Sequence, residues 1–183
     1  MAETPTDRSD AADQTEVDLS ASKVLVVDDN AQNLELLVAY LDSLECKVVT
    51  AASGLEALDE IGRDCPDLIL LDIMMPQMSG YELCRKLKSD PNTRETPVIM
   101  VTALTELGDI RLGVESGTDD FITKPVNRLE LITRVRSLLR VRHLRTELDR
   151  ALAYLKEVED GPAGEDSPEP EATSRDPGVQ SGS

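Results

Sequence analysis

Aromatic side chains are scarce in this 183-residue chain: one Phe, three Tyr and no Trp. That leaves no platform for stacking bases and argues against single-stranded nucleic acid as a ligand. Cysteine is almost as rare. Cys46, Cys65 and Cys84 are odd in number, far apart and without metal-ligand spacing. They fit neither a disulfide framework nor a zinc site, and reduced, mostly buried thiols in a cytoplasmic protein are expected. No run approaches the roughly 20 apolar residues that a membrane span requires. The N-terminal "MAETPTDRSDAADQ" also lacks the apolar centre of a signal peptide. Positive charge is in deficit, with 19 Lys and Arg against 36 Asp and Glu and a formal net charge of −17. A polyanion is repelled by such a chain, so nucleic acid is not an expected partner.

The acids are unevenly spread. Residues 1–20 carry six acids and one Arg, and residues 159–183 carry seven acids and one Arg. Both ends are rich in Pro, Ser, Thr and Gly and have almost nothing large to bury, so both read as disordered acidic tails. Between them the pattern alternates from Lys23 onward. Short apolar runs, "KVLVV" (23–27), "CKVVT" (46–50), "DLILL" (67–71), "TPVIMVT" (96–102) and "DFIT" (120–123), predict strands. Helical spacing predicts helices over 33–44, 53–63, 80–90, 106–117 and from about Val126 to Val158. Ser53 with Glu56 reads as a capping box, and Gly117 as a helix-closing glycine. Five strands alternating with five helices imply an α/β, doubly wound parallel sheet covered on both faces, in one domain over 21–140.

In such folds the working site lies outside the carboxyl ends of the strands. There the first strand ends in Asp28-Asp29, the third in Asp72, the fourth in Thr102 and the fifth just before Lys124-Pro125. Converging carboxylates repel one another unless a cation intervenes. A hard divalent ion with oxygen ligands resolves this, and Mg²⁺ is the expected one. Lys124 can pair with phosphoryl oxygens and Thr102 can donate to them. A carboxylate can itself accept a phosphoryl group. Asp72 stands alone at its strand end, whereas the adjacent Asp28 and Asp29 suit metal work, so Asp72 is the better nucleophile.

The blocks "VLVVDDN", "LILLDIMMPQMSG", "VIMVTAL" and "DDFITKP" resemble the signature blocks of two-component response regulator receiver domains, in the family's order, over about residues 22–140. The resemblance implies a flavodoxin-like five-stranded parallel sheet of order 2-1-3-4-5. It implies that Asp72 is phosphorylated by a sensor histidine kinase or phosphotransfer protein. Asp29 would ligate Mg²⁺ directly and Asp28 mainly through water, with Asp72 and the backbone carbonyl of Met74 completing the protein's ligands. Thr102 and Lys124 would bind the phosphoryl oxygens. Phe121 stands at the family's switch-aromatic position, and Lys124-Pro125 at a bond that is usually cis. Movement of Thr102 and Phe121 would then change contacts with a downstream protein. The stretch 101–140 further resembles receivers of diguanylate cyclase-type regulators, but no such output segment follows here. A stand-alone phosphoacceptor without enzymatic output is therefore expected, the alternative being the receiver part of a cyclic-dinucleotide regulator.

The last helix departs from the family by its length. Residues 127–160 contain no Pro or Gly. Val141, Leu144, Leu148, Ala151, Leu155 and Val158 form an a/d seam, so 141–158 reads as a helical extension and coiled coil joining a homodimer. Two competing classes stay open. A haloacid-type hydrolase would use Asp72 as nucleophile but wants an acid where Met74 stands. A DNA-binding regulator would use the basic last helix, but no reading module follows it.

Overall fold

A computed structural model of the chain describes residues 18–103 and 107–159. Elements alternate as β1 (Lys23–Val27), α1 (Ala31–Leu41), β2 (Lys47–Ala51), α2 (Gly54–Arg63), β3 (Leu68–Asp72), α3 (Gly80–Ser89), β4 (Val98–Thr102), α4 (Leu107–Ser116), β5 (Asp120–Thr123) and α5 (Arg128–Glu159). A short 3₁₀ turn, Asp42–Leu44, extends α1. The strands form one parallel sheet of order β2-β1-β3-β4-β5, as expected from the sequence. Every residue of β1, β3 and β4 is buried, because these strands carry helices on both faces. The edge strands β2 and β5 are only partly covered.

Strand alternation divides the core into two layers. Val24, Val26, Leu70, Ile99, Val101 and Ile122 face Leu37 and Leu41 of α1 and Leu131, Val135 and Leu139 of α5. Leu25, Val27, Ile69, Leu71, Val98 and Met100 face Ala57 and Ile61 of α2 and Leu83, Cys84 and Leu87 of α3. Leu19, which the sequence reading put in the N-terminal tail, is buried in the first layer. The rest of that tail, residues 1–17, and residues 160–183 of the other lie outside the described residues.

The chain divides into two units, Met1–Glu147 and Leu148–Ser183. In the first, Arg145 pairs with Glu95 at 2.6 Å and Arg142 donates to the Glu95 carbonyl at 3.4 Å. Of the second, Leu148–Glu159 is helical and every residue from 148 to 158 is exposed. No helix among the described residues is long and apolar enough to cross a membrane.

Two local expectations change. Ser53 does cap α2, accepting from Glu56 N at 3.2 Å, but the Glu56 carboxylate takes the N–H of Ala52 rather than returning to Ser53. The complete capping box is at α3: Ser79 Oγ accepts from Glu82 N, and Glu82 accepts from Ser79 N at 2.9 Å. The three cysteines are free, yet only Cys84 is buried, Cys46 is half-buried and Cys65 is exposed.

Candidate functional site

The carboxyl ends of β1, β3 and β5 converge on one ammonium group. Lys124 Nζ donates to Asp28 Oδ2 at 2.9 Å and to Asp72 Oδ1 at 2.7 Å. The backbone brings it there, since Lys124 N donates to the Thr102 carbonyl at 2.7 Å and so continues the β4–β5 ladder by one step. The Lys124-Pro125 bond is cis. Both carboxylates are deeply placed: Asp28 is 1% exposed and Asp72 5%.

Each carboxylate has further donors. The Asn33 amide meets both oxygens of Asp28 at 3.0 Å, and Asn30 N donates to Asp28 Oδ1 at 2.9 Å. Asn30 also caps α1, its side chain accepting from Gln32 N and Asn33 N, so the same turn orients the helix and the acid. Met74 N donates to Asp72 Oδ2 at 2.8 Å. The loop is tight here. A Cβ at Gly80 would fall on the Asp72 carbonyl oxygen, so only glycine lets α3 start this close to β3.

Burial raises the Asp72 carboxyl above its ordinary pKa; the hydrogen bond and charge of Lys124 oppose this without cancelling it, and the Asp28 charge adds to the rise. For Lys124 burial acts downward, but its hydrogen bonds to Asp72 and Asp28 outweigh it and hold the ammonium above its ordinary value. Two buried carboxylates sharing one cation leave one negative charge over, and exposed Asp29 lies next in the chain to Asp28.

The other sequence-derived candidates fall nearby or stay apart. Thr102 is buried at the end of β4. Met74 is 67% exposed just past Asp72. Phe121 is half-buried on β5, packed against the α2/α3 layer beside Met100, its register partner in β4. Among the described residues, no three His, Cys, Asp or Glu side chains are gathered as a ligand cage. A hard-oxygen set with excess negative charge nevertheless fits Mg²⁺, which keeps most of its water and needs only one or two carboxylates. Asn33 and Gly80 were missed from the sequence. The signal for Asn33 was an amide one helical turn after the Asn30 cap, following two acids.

A family model of the response regulator receiver domain matches residues 24–136. The response regulator PleD of Caulobacter vibrioides is 49% identical over 128 residues, which cover 70% of this chain and 28% of PleD. The DNA-binding response regulator MtrA of Mycobacterium bovis is 40% identical over 124 residues, 68% of this chain and 53% of MtrA. The chain thus spans from about a quarter to about half of these relatives' length. The crystal structure of a CheY-like response regulator receiver domain protein from Methanospirillum hungatei superposes with a TM-score of 0.64 at 29% identity, covering 68% of this chain and 98% of that one. Sheet order, site position and relatives agree, and the chain belongs to the response regulator receiver domain family.

Proposed function

We propose that Asp72 is the phosphoacceptor of a cytoplasmic two-component phosphorelay, and that the chain acts by changing its protein contacts rather than by turning over a substrate. The observation that carries this reading is the buried Asp28–Lys124–Asp72 bridge at the sheet's carboxyl edge. An Asp72 oxygen attacks the phosphorus of a phosphohistidine on a sensor histidine kinase or phosphotransfer protein. The P–O bond forms as the P–N bond breaks, and the leaving imidazole keeps the bonding pair and takes up a proton. An acyl phosphate remains on Asp72. The Met74 N–H holds one Asp72 oxygen in place, Lys124 meets the incoming phosphoryl charge, and the Thr102 hydroxyl donates to it. Mg²⁺, held by Asp28, Asp29, Asp72 and the Met74 carbonyl, would neutralise charge on the phosphoryl oxygens. Movement of Thr102 and Phe121 passes the event to the α4–β5–α5 surface, where a downstream protein reads it.

Intact-mass measurement after incubation with acetyl phosphate and Mg²⁺ tests this. The wild type gains one phosphoryl group and Asp72→Asn gains none. Stoichiometric labelling of Asp72→Asn would sink the assignment.

For α5 the proposed partner is a second copy of this chain. Val141, Leu144, Leu148, Leu155 and Val158 are each 55–61% exposed and keep the 3-4 spacing that two helices can interlock. Light scattering with and without beryllofluoride decides it, and a concentration-independent monomer in both states excludes the dimer.

A further inference from the structure

Gly113 sits inside α4, where glycine is a poor helix former and alanine the best. The position is buried, and its surroundings explain the choice. A Cβ built on Gly113 would overlap Cε1 and Cζ of Phe121, with Met100 Sδ behind at 3.5 Å. The far edge of the aromatic ring thus occupies the space that a missing side chain leaves in the helix. The helix backbone has little freedom to retreat. Ser116 Oγ donates to the Gly113 carbonyl at 2.6 Å, Thr118 N approaches the same oxygen at 3.4 Å, and Gly117 closes the turn with φ +85. On the other side Phe121 is held by the β4 register, opposite Met100, and its N–H donates to Asp120 Oδ1 at 2.8 Å. Two fixed backbones therefore face each other across one rotatable ring.

We propose that Gly113 is the positioning residue for Phe121: the notch in α4 holds the ring where it is, and filling the notch drives the ring to its other rotamer. The inference rests on the proposed switch role of Phe121 and adds what sets the balance of that switch. Because the obstructing atoms are the end of a side chain that can swing about χ1, a methyl group at position 113 is accommodated by ring movement, not by breaking the sheet. Gly113→Ala also raises local helix propensity, so the helix itself gains from the change.

The chain contains one Phe, so ring-¹³C phenylalanine places a single aromatic probe in the full-length protein. In the wild type we expect ring NOEs to Gly113 Hα and Met100, and a shift of the ring resonance on adding beryllofluoride with Mg²⁺. In Gly113→Ala we expect those NOEs to vanish and the ring resonance to leave its wild-type position without any phosphoryl mimic. Labelling by acetyl phosphate should change in rate by severalfold. Val114→Ala, on the exposed face of the same helix, should leave the ring signal in place. An unchanged ring signal with intact NOE contact to position 113 overturns the proposal. If Gly113→Ala fails to fold, Gly113→Ala combined with Phe121→Ala must restore folding, and failure to do so also overturns it. A wild-type ring indifferent to beryllofluoride, beside a displaced ring in Gly113→Ala, would refute the switch reading while upholding the notch.

Discussion

Replacing Lys124 by methionine removes the ammonium that Asp28 and Asp72 share while keeping most of the side chain's volume. Breaking a buried ion pair from one side costs about 3–5 kcal/mol, because the remaining charge is left unpaired. Here the Lys124 side chain retains 24% exposure against 1% and 7% for its partners. Water therefore reaches the cleft, and the loss falls to roughly 2–4 kcal/mol. For a chain of this size that corresponds to a melting temperature lower by roughly 5–15 °C. The loss should depend on pH. In Lys124→Met the two largest influences that lower the Asp72 pKa are gone, leaving only the Met74 hydrogen bond against burial and Asp28, which still raise it. A carboxyl whose folded pKa lies above its unfolded value contributes stability below the unfolded value of 3.8 and loses it as pH rises through the folded one. The deficit against wild type is thus smallest in acid and widens towards neutrality. On the alkaline side the wild-type advantage persists up to the ordinary lysine value of 10.5 and fades as pH climbs through the raised Lys124 pKa. Urea unfolding followed by circular dichroism, with EDTA present and pH varied from about 3.5 to 8, reads both quantities. A deficit that does not change with pH, or a variant as stable as wild type, would refute the reasoning.

Asn33→Ala strips Asp28 of its amide donor and should cost about 1.5–3 kcal/mol in the same urea assay, as expected for hydrogen bonds to a buried charge. Glu82→Gln isolates the capping box. Hydrogen bonds from Ser79, its backbone N–H foremost, hold the Glu82 carboxyl below its ordinary 4.5. A depressed folded pKa contributes stability above the unfolded value and loses it as pH falls through the folded one, so wild type should exceed Glu82→Gln near neutrality and converge with it in acid, as thermal melts at both pH values will show. Thiol titration should find Cys65 reactive in the folded protein and Cys84, whose thiol burial pushes up in pKa, reactive only once the chain unfolds.

The layered sheet was legible because β-branched runs buried on both faces leave few alternatives: parallel crossovers are right-handed and each needs a helix. Boundaries were less so, for local reasons. Helix α5 starts at Arg128 rather than Val126 because Asn127 accepts from Glu130 N and Leu131 N, while Val126 packs against the α1/α5 layer as an ordinary apolar residue. Helix α1 starts at Ala31 because Asn30 caps it, a signal that the apolar periodicity of 33–44 concealed. Ser53-x-x-Glu56 and Ser79-x-x-Glu82 share a pattern, yet only the second closes reciprocally. The pattern does not say that Ala52 N–H stands nearer to the Glu56 carboxylate. At the site, Asp28, Asp72 and Lys124 were readable because strand ends fall at one edge of a doubly wound sheet. Asn33 and Gly113 were not, since what they touch depends on how each helix lies against the strand beside it: Asn33 meets Asp28 just past β1, and Gly113 meets Phe121 of β5.

Neighbouring residues of β5 have opposite duties. Phe121 points into the layer shared with α2 and α3, and Ile122 into the layer shared with α1 and α5. A slip of one residue would exchange them, putting an aliphatic side chain over the Gly113 notch and an aromatic ring into the tight contact with Leu131 and Val135. The interval from Gly113 to Phe121 therefore works as a ruler. Its composition can drift on the exposed side, as at Val114 and Glu115, but its length cannot, and a single inserted or deleted residue there would undo both layers at once.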